Sequence, residues 1–287
     1  MSDHGVSRAA VLGAGTMGHG IAQVSAMTGF ETVLFDIDEA ALEKGRAAIE
    51  RNLDKGVQKG KVTEEARAEA LGRLSFGTDL AAAVGGVQLV VEAAPERIDL
   101  KKKIFADISA ACPEDAILGS NTSSLSLTEI AAAAKNPERV VGMHFFNPPH
   151  ILKLLELVRA EQTSEESLAR AHAIGLAMGR EIITVTDTPG FATSRLGVVF
   201  GLEAMRMVEQ GVASAADIDR AMELGYGHAM GPLRVSDLVG LDVRLAISER
   251  LHSELKDAQY APPEILKRLV AEGKLGKKTG EGFHTWQ

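Results

Sequence analysis

Short apolar runs alternate with longer amphipathic stretches over the first two thirds of the chain. The runs are rich in Val, Ile and Leu, and they predict strands at Arg8–Leu12, Thr32–Asp36, Gln88–Glu92, Ala116–Ser120, Val140–Phe145, Leu154–Val158 and Glu181–Thr186. Strands that are apolar almost throughout are typical of a largely parallel sheet with helices on both faces. The pattern therefore predicts an α/β fold with a Rossmann-type, doubly wound sheet.

A long polar stretch separates the second predicted strand from the third. Residues 39–80 are rich in Ala, Glu, Lys and Arg, and Gly56 and Gly60 interrupt them. Thr63 stands directly before two glutamates, which is typical of the residue that caps the start of a helix. We therefore predict a helical excursion from the sheet in this segment.

The strand pattern stops at Thr188-Pro189-Gly190, and helical periodicity follows it. About four helices are predicted, at Phe191–Gln210, Ser214–Leu224, Pro232–Asp257 and Pro263–Glu272. We predict a domain boundary here, with the Rossmann domain at 1–187 and an all-α domain at 188–287. Apolar helix positions such as Val198 and Met205 could equally fill a core or face another subunit.

Composition narrows the class of protein. A chain of 287 residues with 45% hydrophobic and 24% charged residues is typical of a globular protein. No apolar run is long enough to cross a membrane and no secretion signal is evident, so we expect a cytoplasmic protein. The net charge of −8 argues against nucleic-acid or anionic-membrane partners. With only Cys112 and no metal-like histidine spacing, neither a disulfide nor a metal is expected.

The first predicted strand runs directly into a glycine-rich turn and a helix-compatible stretch. In a GxGxxG turn of this kind, the glycines allow a tight turn, close approach of a pyrophosphate and close helix packing. Asp36 ends the second predicted strand, where its carboxylate would accept from the ribose hydroxyls and repel the 2′-phosphate of NADP. We therefore predict NAD as cofactor, bound by Gly13, Gly15, Thr16, Met17, Gly18 and Asp36.

The proton-handling residues must lie outside this turn, because a Rossmann domain alone does not identify a reaction. Neither tyrosine is followed four places on by lysine, which excludes the pair used by short-chain dehydrogenases. His144 and Glu156 lie near facing ends of two successive predicted strands that are joined by a proline-containing loop. This arrangement predicts a general base with an orienting carboxylate.

A polar segment, Ser120–Leu125, follows another predicted strand at the sheet edge where ligands bind. A serine there could hold a substrate oxygen while His144 takes the proton. The residues alone leave alternatives open. The segment could simply cap a helix that starts near Leu127, and a lone histidine could be a structural residue.

These residues carry a resemblance to a known family. The chain is similar to the L-3-hydroxyacyl-CoA dehydrogenases, including the short-chain 3-hydroxybutyryl-CoA dehydrogenases. The shared motifs occur in the same order along nearly the whole chain: Gly13–Gly18, Val90–Ala93, Ser120–Leu125, His144–Pro148, Asp187–Phe191, Met230–Pro232 and Gly276–Phe283.

The resemblance implies reversible hydride transfer between NAD and the 3-hydroxy carbon of a (3S)-3-hydroxyacyl-CoA, and a homodimer formed through the helical domain. It gives His144 the role of general base, with Glu156 orienting it and Ser123 hydrogen-bonding the substrate oxygen. Further residues match positions at the cofactor: Glu96, Lys101, Asn121 and Asn147.

The chain departs from the family at Ser194, where an asparagine on the substrate side is usual, so Ser194 is a candidate site residue. The departure leaves a second enzyme class open, a related dehydrogenase of a free hydroxy acid or sugar acid. A non-catalytic NAD-binding protein is a third possibility, although it would not need His144, Glu156 and Ser123.

A basic stripe offers a place for the coenzyme A nucleotide. Arg51, Lys55 and Lys59 are spaced by four residues, so a helix would place them on one face. From spacing alone, a solvated charged face supported by Glu50 and Asp54 is equally compatible. The family resemblance favours coenzyme A, and we expect an acyl-CoA substrate at this stripe.

Overall fold

The computed structural model describes residues 4–286. The chain divides between Thr188 and Pro189 into two compact units. The first contains a sheet with flanking helices and the second is helical, so the predicted fold class is confirmed. No helix in the described range is long and apolar enough to cross a bilayer.

The first unit is built on one mostly parallel sheet. Its described strands are β1 (Arg8–Leu12), β2 (Glu31–Phe35), β3 (Leu74–Gly77), β4 (Leu89–Glu92), β5 (Ile117–Ser120), β6 (Val140–Phe145), β7 (Leu154–Arg159) and β8 (Glu181–Thr186). They lie in the order β3-β2-β1-β4-β5-β6-β7-β8. β1 to β6 run parallel, whereas β7 is antiparallel to β6 and β8 is parallel to β7. The strands that follow β1 in the chain, β2 and β3, lie on one side of it, and β4 lies on the other side. Where the strand order reverses in this way, a crevice for ligands opens outside the carboxyl ends of β1 and β4.

Helices cover the apolar strands of this unit. They are α1 (Gly18–Thr28), α2 (Glu39–Gln58), α3 (Glu64–Gly72), α4 (Leu80–Val84), α5 (Ile98–Ala111), α6 (Leu127–Ala131) and α7 (Glu165–Ala177), with a 3₁₀ turn at Pro137–Arg139. The central strands β1, β4 and β6 are buried along almost their whole length. Burial on both faces explains why these strands read as continuous apolar runs.

One element of the predicted helical excursion is wrong. Between α3 and α4 the chain forms the edge strand β3, which pairs with β2 from Thr32↔Leu74 to Phe35↔Gly77. Its four residues, Leu-Ser-Phe-Gly, are too short to show a clear period. Pairing with β2 across the fold, rather than local sequence preference, makes them a strand.

The second unit contains more helices than predicted. Its α-helices in the described range are α8 (Thr193–Glu209), α9 (Ala215–Tyr226), α10 (Pro232–Val239), α11 (Leu241–Leu255) and α12 (Glu264–Ala271), with 3₁₀ turns at Ala258–Tyr260 and Lys277–Thr279. The predicted helix Pro232–Asp257 is broken at Gly240, whose φ of 104° is incompatible with a helix and is accessible mainly to glycine. The hydrophobic core of the second unit includes Leu202, Met205 and Leu266.

The motif Gly276–Phe283, near the C-terminus, packs against α10 of this helical unit. Asp237 of α10 accepts hydrogen bonds from the backbone N–H groups of Phe283 and His284 and from the indole of Trp286. A side chain at Gly276 would overlap the backbone of Asp237. The glycines of this motif therefore allow the terminal segment to pack directly against α10.

Candidate active site

The carboxyl ends of β1, β4, β5 and β6 meet at one edge of the sheet. Each of these strands is followed by a segment that carries predicted site residues. Because ligands bind outside the carboxyl ends of parallel strands, this edge is the candidate active site of the first unit.

The glycine-rich turn forms a cradle after β1. Gly13 has a φ of 100°, and a Cβ there would lie 2.8 Å from the carbonyl oxygen of Ala93. A Cβ at Gly18 would overlap the carbonyl oxygen of Gly13, whereas a Cβ at Gly15 would meet nothing within 4 Å. The first and third glycines are thus required by packing, and the second leaves open space beside the start of α1. The cradle fits the pyrophosphate of a dinucleotide.

Thr16 and Met17 complete this turn. Thr16 is exposed and Met17 directly precedes α1, which begins at Gly18. Both residues therefore follow Gly15 directly in the turn, and their contact with the cofactor stays a prediction.

Asp36 lies beside the same turn. One of its carboxylate oxygens accepts a hydrogen bond from the backbone N–H of Ala14 at 2.7 Å, and the other accepts from the backbone N–H of Asp38 at 3.1 Å. The next residue, Ile37, is 87% exposed. The sequence analysis did not single out Ile37, a large apolar residue that directly follows Asp36.

His144 and Glu156 are brought together as predicted. They face each other across the antiparallel pair β6 and β7, and the His144 Nδ1 lies 2.9 Å from a carboxylate oxygen of Glu156. Glu156 is 0% exposed and His144 is 7% exposed. A carboxylate can only accept, so this contact places a proton on Nδ1 and leaves the lone pair of the neutral ring on Nε2. The pair can therefore accept a proton at Nε2.

Two asparagines border the histidine. The side-chain oxygen of Asn121 accepts from the backbone N–H of Phe145 at 2.8 Å, so Asn121 fixes the end of β6 next to His144. Asn147 lies just beyond β6 and is exposed. Both stay predicted cofactor residues, and the hydrogen bond to Phe145 occupies only the side-chain oxygen of Asn121.

Glu96 organises the polar turn after β5. One of its carboxylate oxygens accepts from the Thr122 hydroxyl at 2.6 Å and from the backbone N–H groups of Ser123 and Ser124 at 3.0 and 3.1 Å. Burial favours a raised pKa, but the Lys101 ammonium and these hydrogen bonds outweigh it and hold the pKa of Glu96 below its ordinary value. The Ser123 hydroxyl lies 3.4 Å from the same oxygen.

This turn is not the cap of the following helix. The hydroxyl that caps α6 belongs to Ser126, which accepts from the backbone N–H of Glu129. The segment Thr122–Ser124 is therefore held by Glu96, not by the helix, and the capping alternative is wrong for these residues.

Lys101, which is also predicted to lie at the cofactor, is surrounded by oxygen acceptors of the protein. It is 1% exposed, and its ammonium donates to Glu92 at 2.5 Å and to the carbonyl oxygen of Ala94 at 3.2 Å. A carboxylate oxygen of Glu96 lies 3.5 Å away. Sequence reasoning missed Glu92, although a carboxylate inside the apolar strand β4 was a signal for a buried partner.

The basic stripe and Ser194 lie on separate helices. Arg51, Lys55 and Lys59 are exposed on α2 and at its C-cap, away from the buried residues of that helix. Asp54 pairs with Arg67 of α3 at 2.7 Å. Ser194 lies in the first turn of α8, in the second unit, and is partly buried.

No group of three or more His, Cys, Asp or Glu side chains within residues 4–286 is arranged to hold a metal ion. Cys112 is buried, and burial raises the pKa of its thiol. The chemistry at this edge therefore centres on the glycine cradle, Asp36 and the His144–Glu156 pair.

Known proteins resemble this chain over its full length. A 3-hydroxybutyryl-CoA dehydrogenase of Mycobacterium tuberculosis is 45% identical, covering 100% of both chains. The crystal structure of the (S)-3-hydroxybutyryl-CoA dehydrogenase PaaH1 from Ralstonia eutropha has a TM-score of 0.94 and 40% identity, covering 98% of this chain and 99% of that one. A 3-hydroxyadipyl-CoA dehydrogenase of Escherichia coli is 40% identical over 98% of this chain and 59% of its own.

Two family models cover nearly the whole chain. The model of the 3-hydroxyacyl-CoA dehydrogenase NAD-binding domain matches residues 8–188, and the model of the C-terminal domain of the same family matches residues 190–286. The glycine cradle and the acid at the end of β2 lie inside the first match, as an NAD-binding domain requires. The chain therefore belongs to the 3-hydroxyacyl-CoA dehydrogenase family and is an NAD-dependent oxidoreductase.

Proposed function

We propose that the chain interconverts short-chain (3S)-3-hydroxyacyl-CoA and 3-ketoacyl-CoA, with His144 as the general base. The observation that carries this proposal is the buried contact between His144 and Glu156, 2.9 Å long, at the sheet edge that also holds the glycine cradle. A protein that only binds NAD would not need a base held in this way.

The proposed chemistry couples proton removal to hydride departure. NAD, when bound, supplies the hydride acceptor. The Nε2 of His144 takes the hydroxyl proton of the substrate as the carbonyl forms, and the ring becomes an imidazolium. The buried carboxylate of Glu156 stabilises that cation and fixes the ring orientation. In the reverse direction the imidazolium returns its proton to the carbonyl oxygen.

Ser123 is proposed to hold the reacting oxygen. Its backbone N–H is fixed by Glu96, and its hydroxyl lies only 3.4 Å from the same carboxylate oxygen, a contact weak enough to exchange for a substrate oxygen. Asn147 and Ser194 remain predicted site residues. A serine at position 194 has a shorter reach and fewer donors than the usual asparagine, so we propose that a water completes its contact to the substrate.

The cofactor is proposed to be NAD in preference to NADP. The carboxylate of Asp36 retains acceptor sites beside its bonds to Ala14 and Asp38, and these would receive the ribose hydroxyls. The exposed side chain of Ile37 offers an apolar surface for the adenine ring. Glu96 has one carboxylate oxygen that does not bond the Thr122–Ser124 turn, which is compatible with its predicted place at the cofactor.

We propose an acyl group carried by coenzyme A, on the basis of the names of the relatives and of the exposed cations of α2. The named relatives act on hydroxybutyryl-CoA or hydroxyadipyl-CoA, which favours a CoA thioester over a free acid. The exposed cations Arg51, Lys55 and Lys59 would attract the phosphates of coenzyme A in a chain with a net charge of −8.

A homodimer through the second unit is the proposed assembly, in a cytoplasmic setting. Large apolar side chains are exposed there: Leu196, Phe200, Val212, Leu224, Tyr226, Leu238, Val239 and Val243. This number of exposed large apolar side chains favours a subunit interface in this unit.

A substrate panel followed by NADH absorbance tests this function. We expect turnover with acetoacetyl-CoA, slower turnover with 3-oxoadipyl-CoA, and almost none with free acetoacetate or a free sugar acid. Faster turnover of a free acid would favour the alternative dehydrogenase class. An absence of turnover with every member of the panel, together with tight NADH binding, would favour a non-catalytic NAD-binding protein.

A further inference from the structure

A buried arginine of the second unit lacks a partner for its charge. Arg244 of α11 is 7% exposed, and its Nε is buried with no hydrogen-bond acceptor. Within residues 4–286, the side chain of Arg244 takes part in no hydrogen bond or ion pair. Burial lowers the pKa of Arg244 to about 10, so its guanidinium still carries the positive charge at neutral pH.

A second buried arginine shows what a purely structural role requires. Arg139 of the first unit is 4% exposed, and its guanidinium donates to the carbonyl oxygens of Ser109 and Pro113. A buried charge without such partners is strongly unfavourable for the folded protein. Packing alone therefore does not account for Arg244, whereas an anion that binds beside it would.

The guanidinium of Arg244 lies beside a glycine of α8. A Cβ at Gly197 would lie 3.5 Å from Nη1 and 4.0 Å from Nη2 of Arg244. Both terminal nitrogens are thus directed to the point where this helix has no side chain. Gly197 is only partly buried. A larger residue at this position would cover the two nitrogens, and glycine leaves them uncovered for an acceptor.

The same face of α8 carries a predicted substrate residue. Ser194 precedes Gly197 by three residues, which places both on one face and about 4.5 Å apart along the helix axis. The terminal carboxyl carbon of 3-oxoadipyl-CoA lies three bonds beyond the keto carbon. An acyl chain whose carbonyl side is held at Ser194 therefore has the length to present a terminal carboxylate to Arg244.

We propose that Arg244 is the anion-binding residue of a subsite in the second unit that accepts acyl chains ending in a carboxylate. The donors of a guanidinium match the two oxygens of a carboxylate, and the bound anion would compensate a charge that the free protein leaves unpaired. This inference rests on the proposed function and on the predicted role of Ser194. It adds acyl-CoA thioesters with a terminal carboxylate to the substrates of the enzyme.

Two ketoacyl-CoA substrates with equally long chains test the subsite. 3-Oxoadipyl-CoA ends in a carboxylate and 3-oxohexanoyl-CoA ends in a methyl group, so the ratio of their kcat/KM values reports the terminal group. We expect Arg244→Met to lower this ratio roughly 10- to 100-fold, because the carboxylate then enters the subsite without a cation. The matched control is Arg250→Met, which removes an arginine of the same helix that pairs with Glu254. The control should keep the wild-type ratio.

Thermal unfolding of the free protein tests the cause without any turnover. Because the charge of Arg244 is buried without a partner, Arg244→Met should raise the Tm by roughly 2 to 4 °C. An arginine that served only the fold, or that paired with a second copy of the chain, would instead lower the Tm when it is removed.

Four results would overturn the proposal. Three of them are an unchanged ratio in Arg244→Met, an equal fall of the ratio in Arg250→Met, and a lower Tm in Arg244→Met. The fourth is a wild type that turns over 3-oxohexanoyl-CoA but not 3-oxoadipyl-CoA. If Arg244→Met does not fold, Arg244→Gln removes the charge, keeps a polar side chain and receives the same measurements.

A binding measurement separates this proposal from the proposed function. If the wild type turns over neither ketoacyl-CoA, the proposed function fails. The Kd values for adipyl-CoA and hexanoyl-CoA, measured by calorimetry, then test the subsite with ligands that cannot react. We expect Arg244→Met to weaken adipyl-CoA roughly 10- to 100-fold relative to hexanoyl-CoA, and an unchanged ratio of the two Kd values would overturn the subsite.

Discussion

At the residue scale, Asp36 has one structural role and one proposed role in cofactor selection. Its carboxylate ties the end of β2 to the glycine turn through the backbone N–H of Ala14, and it carries the charge proposed to select NAD. The two tasks can be separated, because an amide oxygen can still accept the hydrogen bond from Ala14 while the charge is gone.

Asp36→Asn should therefore narrow the preference for NAD over NADP without unfolding the turn. We expect the ratio of kcat/KM for the two cofactors to fall by roughly 10- to 100-fold, because the repulsion of the 2′-phosphate disappears. The control is Asp38→Asn, which removes a neighbouring charge while an asparagine can still cap α2. An unchanged ratio in Asp36→Asn, or an equal fall in both variants, would refute selection by Asp36.

The residues of the site differ in how far the sequence predicts them. The contact between His144 and Glu156 follows from their places on two successive strands, and the structure confirms it. The sequence signals that Glu92 has a buried partner but does not identify Lys101 as that partner, because the two side chains meet only once the ends of β4 and α5 are packed together. Charges that pair through tertiary packing carry no local pattern.

At the scale of elements, α2 presents a buried face and a basic face. Leu42, Ile49 and Leu53 are buried, whereas Arg51, Lys55 and Lys59 are exposed. Asp54, an acidic residue next to Lys55 in the chain, pairs with Arg67. The exposed cations are therefore available to contact the phosphates of a nucleotide.

The triple substitution of Arg51, Lys55 and Lys59 by alanine should raise the KM for acetoacetyl-CoA roughly 5- to 50-fold with little change in kcat. The KM for acetoacetyl-pantetheine, which lacks the nucleotide, should stay the same. Substitution by alanine of three lysines elsewhere in the first unit, Lys102, Lys103 and Lys135, serves as the charge-matched control. Equal effects on both substrates, or on both triple variants, would exclude a nucleotide site at this stripe.

The two wrong element predictions share a cause. The strand β3 is four residues long and forms because β2 offers it a partner, and the break between α10 and α11 depends on a single glycine conformation. Periodicity over long windows predicts β1, β6 and α8 well, because many residues contribute to each of them. It does not detect an edge strand or a one-residue break.

At the scale of the whole molecule, the exposed apolar side chains of the second unit form the proposed dimer interface. We expect light scattering to give a dimer at micromolar concentration, and the substitution Leu196→Glu/Phe200→Glu on α8 to give a folded monomer. Leu176→Glu changes an exposed leucine of the first unit and should leave the dimer intact. A wild-type monomer, or a dimer that survives the paired substitution, would refute this interface.

The central claim is that His144 takes the substrate proton while NAD takes the hydride. The most direct measurement is the rate of NADH formation from (3S)-3-hydroxybutyryl-CoA by the wild type and by His144→Gln, with the Kd for NADH determined for each protein. The account predicts that kcat falls roughly 10²- to 10⁴-fold in His144→Gln while NADH binding changes little. Turnover close to that of the wild type would remove His144 from the reaction and contradict the account.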